Sequence, residues 1–329
     1  MATSPLLTAF NVAIGCSAIL GNGLVIFVMT VRRKQFSSFT NRLIRHQSII
    51  DFVSGLVFLL MTGIDQSSLL TMLEANIFTD IICRFVDSHY FIWAVNVAST
   101  YNLVVISLER FLATCYPVKH RNYCSLFKIK VSMCVAWTIG FAYALVFLFL
   151  HHVSDGKCAF NPKNAKIFEV FVFSWSFLVE YIVPVIFISF SYVRILLVLR
   201  HKLDNANANQ QNGVLSKAKK NVIITMLIAG CMFFICWSPI QMLRLFLSTE
   251  LVKGFSAGTV LGAARGLVMC NMSVNPVVYC FKYEHFRTQL SQLARSRFGR
   301  HRVRPGEESN DVPSLSIDPI QETAITQAL

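Results

Sequence analysis

Charged side chains are scarce in this sequence. Only 14% of its 329 residues are Asp, Glu, Lys or Arg, whereas 54% are hydrophobic. An ordinary soluble domain, in which about a quarter of the residues are charged, is therefore excluded. Acidic residues are the rarer sign, with 17 against 30 basic ones. A chain with so few charges and so much apolar surface is typical of a protein embedded in a lipid bilayer.

Long apolar stretches follow one another along the chain. Each is roughly 20 residues long, the length that a helix needs to cross about 30 Å of hydrocarbon. They lie at 9–31, 46–65, 88–108, 131–150, 169–193, 221–243 and 257–281. None alternates polar and apolar residues as a membrane barrel strand does. The predicted fold class is therefore an all-α membrane protein with a seven-transmembrane helix bundle.

The membrane domain spans residues 9–281, and shorter segments flank it. Residues 1–8 are predicted to form an extracellular N-terminus, and 282–293 a short amphipathic eighth helix. Residues 294–329 are rich in charged and polar side chains and are expected to be a disordered cytoplasmic tail.

Basic residues determine the expected orientation. Most of the 30 Lys and Arg residues flank alternate connections between the apolar segments or follow the last segment. Because Lys and Arg accumulate on the cytoplasmic side of short loops, we expect a multi-pass plasma-membrane protein with its N-terminus outside. The net charge of +13 is spread over these flanks without a nucleic-acid-binding module, so anionic lipid rather than nucleic acid is the expected counter-charge.

Cysteine placement agrees with this orientation. Of the ten cysteines, only Cys83 and Cys158 fall in predicted outer loops, where oxidation is permitted. We predict a disulfide between them.

Several polar groups lie inside the apolar segments. Asp51, Glu180 and Arg265 are ionisable residues within segments, and Arg244 lies near the outer end of the sixth. Such groups are costly in a membrane unless they are paired or hydrated, so each is a candidate for function. Mid-segment prolines, which bend helices, either provide a moving part or only tighten the packing.

Each apolar segment also carries a short motif, and the motifs come in a fixed order. They are Gly21-Asn22, Asp51, Glu109-Arg110-Phe111, Trp137, Pro184 with Tyr192, Cys236-Trp237-Ser238-Pro239, and Asn275-Pro276-Val277-Val278-Tyr279. This set resembles the rhodopsin-like, or class A, G-protein-coupled receptors over nearly the whole membrane domain. The resemblance implies a receptor that binds an extracellular ligand, activates a heterotrimeric G protein and recruits arrestin.

The resemblance also implies roles for particular residues. Those expected to act in activation and G-protein coupling are Glu109, Arg110, Tyr192, Pro239, Asn275, Pro276 and Tyr279. A sodium site is expected from the oxygen-bearing side chains of Asp51, Ser99, Asn271 and Asn275. The alternative for this cluster is a hydrated polar group without an ion. No other cofactor is expected.

Departures from the family pattern narrow the class. An opsin needs a lysine where this chain has Met269, and an amine receptor needs an aspartate where it has Ile92. The chain is therefore neither an opsin nor a typical aminergic receptor. The stretch before Asp51 begins with His46 and Gln47 and is more polar than the usual Asn-Leu-Ala run of the family.

Helical spacing predicts the ligand site. The candidates on the third and sixth segments share one face each, and two charged residues join them from the fifth and seventh. They are His89, Trp93, Asn96, Trp237, Gln241, Arg244, Glu180 and Arg265. Two arginines among aromatic walls suit a ligand with a carboxylate, with a short peptide favoured over a carboxylated small molecule or lipid. Alternatively, the arginines pair with acidic groups such as Asp65 or Glu250, and Glu180 bonds to Gln241.

The rival function is a transporter or channel for a small polar solute. The odd number of spans, the lack of an internal repeat and the terminal position of the Glu109-Arg110-Phe111 triplet argue against it. The sequence shows no nucleophile–base pair or metal-ligand spacing that would predict an enzyme.

Overall fold

The computed structural model describes residues 5–67, 76–154, 157–160, 165–206, 213–248 and 257–298. The helices are α1 (Pro5–Val31), α2 (Phe39–Gln66), α3 (Ile77–Ile82), α4 (Tyr90–Cys115), α5 (Pro117–Tyr123), α6 (Leu126–Leu150), α7 (Ala165–Ser176), α8 (Val183–Ala206), α9 (Gly213–Ser248), α10 (Ala257–Lys282) and α11 (Glu284–Phe298). The π-helical stretch Cys83–Asp87 follows α3 and precedes α4. The π-helical stretch Phe177–Ile182 joins α7 to α8. All seven predicted apolar segments are helical.

Within the described residues, six membrane-length helical stretches are apolar enough to cross a bilayer. They comprise α1, α2, α3 through α4, α6, the α7–α8 stretch from Val170 to His201, and the apolar part of α9. The seventh helix of the bundle, α10, is 26 residues long but carries Arg265, Asn271, Ser273 and Asn275, which lower its apolar character. It packs between α1 and α9 and completes the bundle. The fold is the predicted seven-helix bundle.

Helix α4 lies at the centre of the bundle and packs against α2, α6 and α8. Its contact with α6 is close because α6 has a glycine at the crossing. A Cβ at Gly140 would overlap the backbone oxygen of Ala94 and lie 2.9 Å from the backbone nitrogen of Ala98. The absence of a side chain at Gly140 therefore allows α4 and α6 to approach this closely.

A short antiparallel hairpin follows α6. This hairpin was not predicted from the sequence. Strand β1 (His151–Ser154) pairs with β2 (Lys157–Phe160), and Val153 stands opposite Cys158. Cys158 forms the predicted disulfide with Cys83, with their Cα atoms 5.5 Å apart. The disulfide prediction is confirmed, and the bond ties the hairpin to the stretch before α4. We call this end of the bundle the disulfide end and the opposite one the Arg110 end.

The eighth helix of the prediction is α11, which extends beyond the predicted boundary at residue 293 and ends at Phe298. Phe286 is fully buried against the bundle, and the Tyr283 hydroxyl donates to the Asn41 side-chain oxygen over 2.7 Å. Burial raises the pKa of Tyr283 to about 12, so this hydroxyl remains a donor at neutral pH. The predicted disordered tail lies outside the described residues from 299 onward.

Candidate functional site

A cavity of about 460 Å³ opens at the disulfide end between α1, α2, α4, α9 and α10. Four of the eight predicted ligand-binding residues line it, namely His89, Trp93, Arg244 and Arg265. The structure thus brings side chains from three distant parts of the sequence into one wall.

The other four predicted residues lie outside the cavity lining. Trp237 and Gln241 are buried, and Glu180 is 1% exposed. The Asn96 amide donates to the Ile92 carbonyl over 2.8 Å and to the sulfur of Met269, a lining residue, over 3.4 Å. These residues support the wall rather than form it.

The two arginines of the cavity differ in their surroundings. Arg244 donates to the Glu180 carboxylate over 3.3 Å, and its guanidinium lies 5.6 Å from the centre of the Trp93 ring. Arg265 makes no ion pair or hydrogen bond with any residue that the structure describes, although the charge of Asp65, whose carboxylate contacts His89 at 3.2 Å, also acts on it. Glu250, the other acidic group considered, lies outside the described residues. A cation in a cavity wall that no described side chain contacts is suited to an anionic ligand.

Glu180 is held by several donors. Besides Arg244, the Tyr143 hydroxyl donates to it over 2.5 Å and the Gln241 amide over 3.2 Å. The π-helical stretch Phe177–Ile182 contains this residue and precedes Pro184, which offers no backbone donor. Of the two sequence readings of Glu180, the structure matches the bond to Gln241 and not a place in the cavity lining, and it adds Arg244 as a partner. Tyr143 was missed, because a tyrosine in an apolar segment carries no distinguishing pattern.

His89 directly precedes α4 and has a left-handed backbone conformation with φ 55°. Its ring contacts the Asp87 carbonyl oxygen at 2.8 Å through Nδ1 and the Asp65 carboxylate through Nε2. These two contacts hold the ring in the cavity wall. Sequence spacing placed His89 on a helix, whereas the structure places it at the helix start.

A second polar cluster lies in the middle of the bundle around the fully buried Asp51. Its carboxylate accepts hydrogen bonds from the Ser99 hydroxyl over 2.7 Å, the Asn275 amide over 2.8 Å and the Gln47 amide over 3.0 and 3.1 Å. Among the described residues, Asn271 is buried but donates none of these bonds. The structure therefore joins Asp51, Ser99 and Asn275 as predicted, leaves out Asn271 and adds Gln47.

The polar residues before Asp51 extend this cluster towards α6. The Asn102 amide donates to the Gln47 side-chain oxygen over 2.8 Å, and the Asn102 oxygen lies 2.8 Å from His46 Nδ1. The Trp137 indole donates to His46 Nε2 over 3.1 Å. His46 and Gln47 stood out in the sequence as unusually polar, but no role was assigned to them there.

Helix α10 carries the break in hydrogen bonding that Pro276 imposes. Proline has no N–H for the carbonyl four residues earlier, that of Met272. The Asn22 amide donates to this carbonyl over 2.8 Å, from α1. Asn22 of the first motif thus donates the hydrogen bond that Pro276 of the last motif cannot supply to the Met272 carbonyl.

At the Arg110 end, Glu109 is 4% exposed and accepts four donors. Arg110 donates to both carboxylate oxygens over 2.7 and 3.0 Å, Thr40 donates over 2.7 Å, and His120 Nε2 lies at 2.9 Å. Arg110 is therefore held by its neighbour within the triplet.

Tyr279 and Tyr192 pack into one hydrophobic cluster near this end. Tyr279 is fully buried, and its hydroxyl has no hydrogen-bond partner among the described residues. Pro239 lies inside α9, where the Ser238 hydroxyl donates to the Phe234 carbonyl over 2.7 Å. The predicted activation residues thus occupy α4, α8, α9 and α10, with their aromatic rings packed inward.

Comparison with known proteins agrees with this arrangement. A family model described as "7 transmembrane receptor (rhodopsin family)" matches residues 21–279. Galanin receptor 2b of Danio rerio is 26% identical over 309 residues, 90% of this chain and 77% of the relative. Galanin receptor type 2 of Homo sapiens is 27% identical over 317 residues, covering 94% and 76%. Somatostatin receptor type 1 of Rattus norvegicus is 26% identical over 301 residues, covering 88% and 72%.

The family match settles the class of protein. Its members are multi-pass plasma-membrane receptors that couple extracellular ligands to G proteins, so the prediction that the chain is not an enzyme is confirmed and the transporter or channel alternative is set aside. The chain belongs to the rhodopsin family of seven-transmembrane receptors.

Proposed function

We propose that this receptor binds a short extracellular peptide that presents a carboxylate to Arg265, and that ligand binding activates a heterotrimeric G protein at the Arg110 end. The observation that carries the proposal is the guanidinium of Arg265 in the cavity wall, which makes no hydrogen bond or ion pair with the described residues.

Charge in the cavity favours this ligand class. Arg244 is neutralised by Glu180, and His89 contacts Asp65, so Arg265 is the cation available to an incoming anion among the described lining residues. A charge-assisted hydrogen bond to a carboxylate is about twice as strong as a neutral one. The aromatic ring of Trp93 and the apolar side chains of Phe58, Met61 and Met269 supply the remaining contact surface.

The relatives support a peptide over other carboxylates. They are receptors for galanin and somatostatin, which are peptides, and each aligns over more than four fifths of this chain. At 26–27% identity the relatives support the ligand class rather than a particular peptide.

The proposal places the disulfide end outside the cell and the Arg110 end in the cytosol. A disulfide needs an oxidising compartment, and basic residues cluster at the other end. The resting pair of Arg110 and Glu109 would open so that the arginine contacts the G protein. Arrestin is proposed as a second cytosolic partner, bound through tail residues that lie outside the described part of the chain.

The test is a screen of short peptides, each made with a free C-terminal carboxylate and as the matching amide. Nucleotide exchange on co-expressed G proteins is measured for wild type and Arg265→Gln. We expect active carboxylate peptides to lose on the order of 10- to 100-fold in potency on Arg265→Gln, the value of one charge-assisted bond. Their amides should be weak on both receptors.

Matched variants separate the ligand site from coupling. Arg84→Gln removes an arginine that is paired with Asp80 and does not line the cavity, so potency should be unchanged. Arg110→Ala should abolish exchange at normal surface expression. Equal potency of carboxylates and amides on wild type, or an unchanged response in Arg265→Gln, would contradict the ligand assignment.

A further inference from the structure

We propose that the side-chain amide of Gln47 takes the place of a sodium ion beside Asp51, so that the interior of this receptor binds no sodium. From the sequence, the oxygen-bearing residues predict a cation here. The donor set of the structure does not fit one, for a reason that lies in residues flanking the expected site.

A cation at this place would take its protein ligands from the carboxylate oxygens of Asp51 and the hydroxyl oxygen of Ser99. Hard cations of this size hold oxygen ligands at about 2.3–2.6 Å, as Ca²⁺ does. Gln47 Nε2 lies 3.0 and 3.1 Å from the carboxylate oxygens and 2.6 Å from Ser99 Oγ. An ion within coordinating distance of these three oxygens would overlap the nitrogen that already contacts them.

The amide fits the position chemically as well as sterically. Gln47 and Asp51 are four residues apart on α2, so their side chains share one helix face. Both are fully buried, and Ser99 is 2% exposed. The two N–H groups of the amide point to the carboxylate and to Ser99, whose own hydrogen goes to Asp51. Neutral donors thereby satisfy a buried carboxylate that would otherwise require a cation.

The orientation of the Gln47 amide follows from Trp137 on α6, which contacts the neighbouring His46. The Trp137 indole can only donate, so His46 Nε2 accepts and His46 Nδ1 carries the hydrogen. The Asn102 oxygen must then accept from His46, which turns the Asn102 amide nitrogen towards the Gln47 oxygen. The Gln47 oxygen is thus engaged, and its nitrogen is the end that remains for Asp51.

This chain of donors gives the unusual polar stretch before Asp51 a role. Trp137 and His46 are positioning residues, and Gln47 is the group that contacts the carboxylate. A hydrocarbon side chain at position 47 would leave the space beside Asp51 and Ser99 open to an ion.

The test uses the full-length receptor purified in detergent and needs no ligand. Melting is followed by tryptophan fluorescence while NaCl is exchanged for choline chloride at constant ionic strength. Wild type should show no sodium-specific rise in Tm, and ²³Na relaxation should show no bound ion. Gln47→Leu, whose side chain ends one atom short of the amide nitrogen, should gain a saturable rise in Tm with sodium.

Controls keep the outcomes distinct. In Gln47→Leu/Asp51→Asn the sodium response should disappear, because the carboxylate is gone, and Gln47→Ala repeats the test if leucine does not pack. A saturable, sodium-specific rise in wild type that Asp51→Asn abolishes would overturn the proposal, and this arm decides even if no variant at position 47 folds. Folded variants at position 47 without a sodium response would equally overturn it. No outcome depends on the peptide assignment.

Discussion

At the scale of single residues, the buried carboxylate of Glu180 is the feature with the largest expected effect. It is 1% exposed, and its partner Arg244 is 23% exposed. Removing one member of a buried pair leaves the other charge uncompensated, at about 3–5 kcal/mol when both are fully buried. We expect Arg244→Gln to lower the Tm of the purified receptor by several degrees, because it leaves the buried Glu180 carboxylate without its cation. Glu180→Gln should lower Tm less, because the Arg244 head group that remains reaches water.

The double variant Glu180→Gln/Arg244→Gln should lose less in Tm than the two single variants lose together, because neither charge is then left alone. The pair of Asp80 and Arg84 provides a control, since both side chains are about one third exposed. Replacing Arg84 with Gln should lower Tm less, because a pair near the surface contributes about 0–1 kcal/mol and the other bond lost is a single one, to the Leu148 carbonyl. Additive losses at Glu180 and Arg244 would show that the two side chains do not interact.

At the scale of helices, the contact between α4 and α6 depends on Gly140. A methyl group there meets the backbone of α4 at Ala94 and Ala98, and backbone cannot move aside as a flexible side chain can. We expect Gly140→Ala to force the helices apart and to lower both Tm and surface expression.

Gly63 in α2 is the matched control, because a Cβ added there meets nothing within 4 Å. Gly63→Ala should be neutral or stabilise the helix by about 0.5–1 kcal/mol, since alanine is the better helix former. If both variants melt alike, helix propensity rather than the α4–α6 crossing sets their stability.

At the scale of the whole molecule, the orientation in the membrane gives a direct prediction. An epitope tag at the N-terminus should be stained on intact cells, and a tag at the C-terminus only after permeabilisation. The reason is the concentration of Lys and Arg at the Arg110 end, which resists translocation. Staining of the C-terminal tag on intact cells would reverse the orientation and remove the basis for G-protein contact at Arg110.

Much of this receptor follows from sequence patterns that have a local physical cause. Apolar length decides which segments become helices, and all seven predicted segments are helical in the structure. Compartment chemistry singled out Cys83 and Cys158 as a pair. Helical spacing put Trp93 and Arg244 on faces that meet in the cavity. Each of these inferences needs only a residue and its neighbours along the chain.

Most partners of the buried polar groups were decided by tertiary structure. Whether Glu180 contacts ligand or neutralises Arg244 depends on how the stretch Phe177–Ile182 approaches α9, and Tyr143 reaches Glu180 from α6, which Gly140 lets close on α4. Likewise, Asp51, Asn271 and Asn275 predict a cation from the sequence regardless of which side chain lies beside the Asp51 carboxylate. Helical spacing along α2 puts Gln47 within reach of Asp51. Only the packing of α2 against α4 brings Ser99 and Asn102 to the same amide, and those contacts are distant along the sequence.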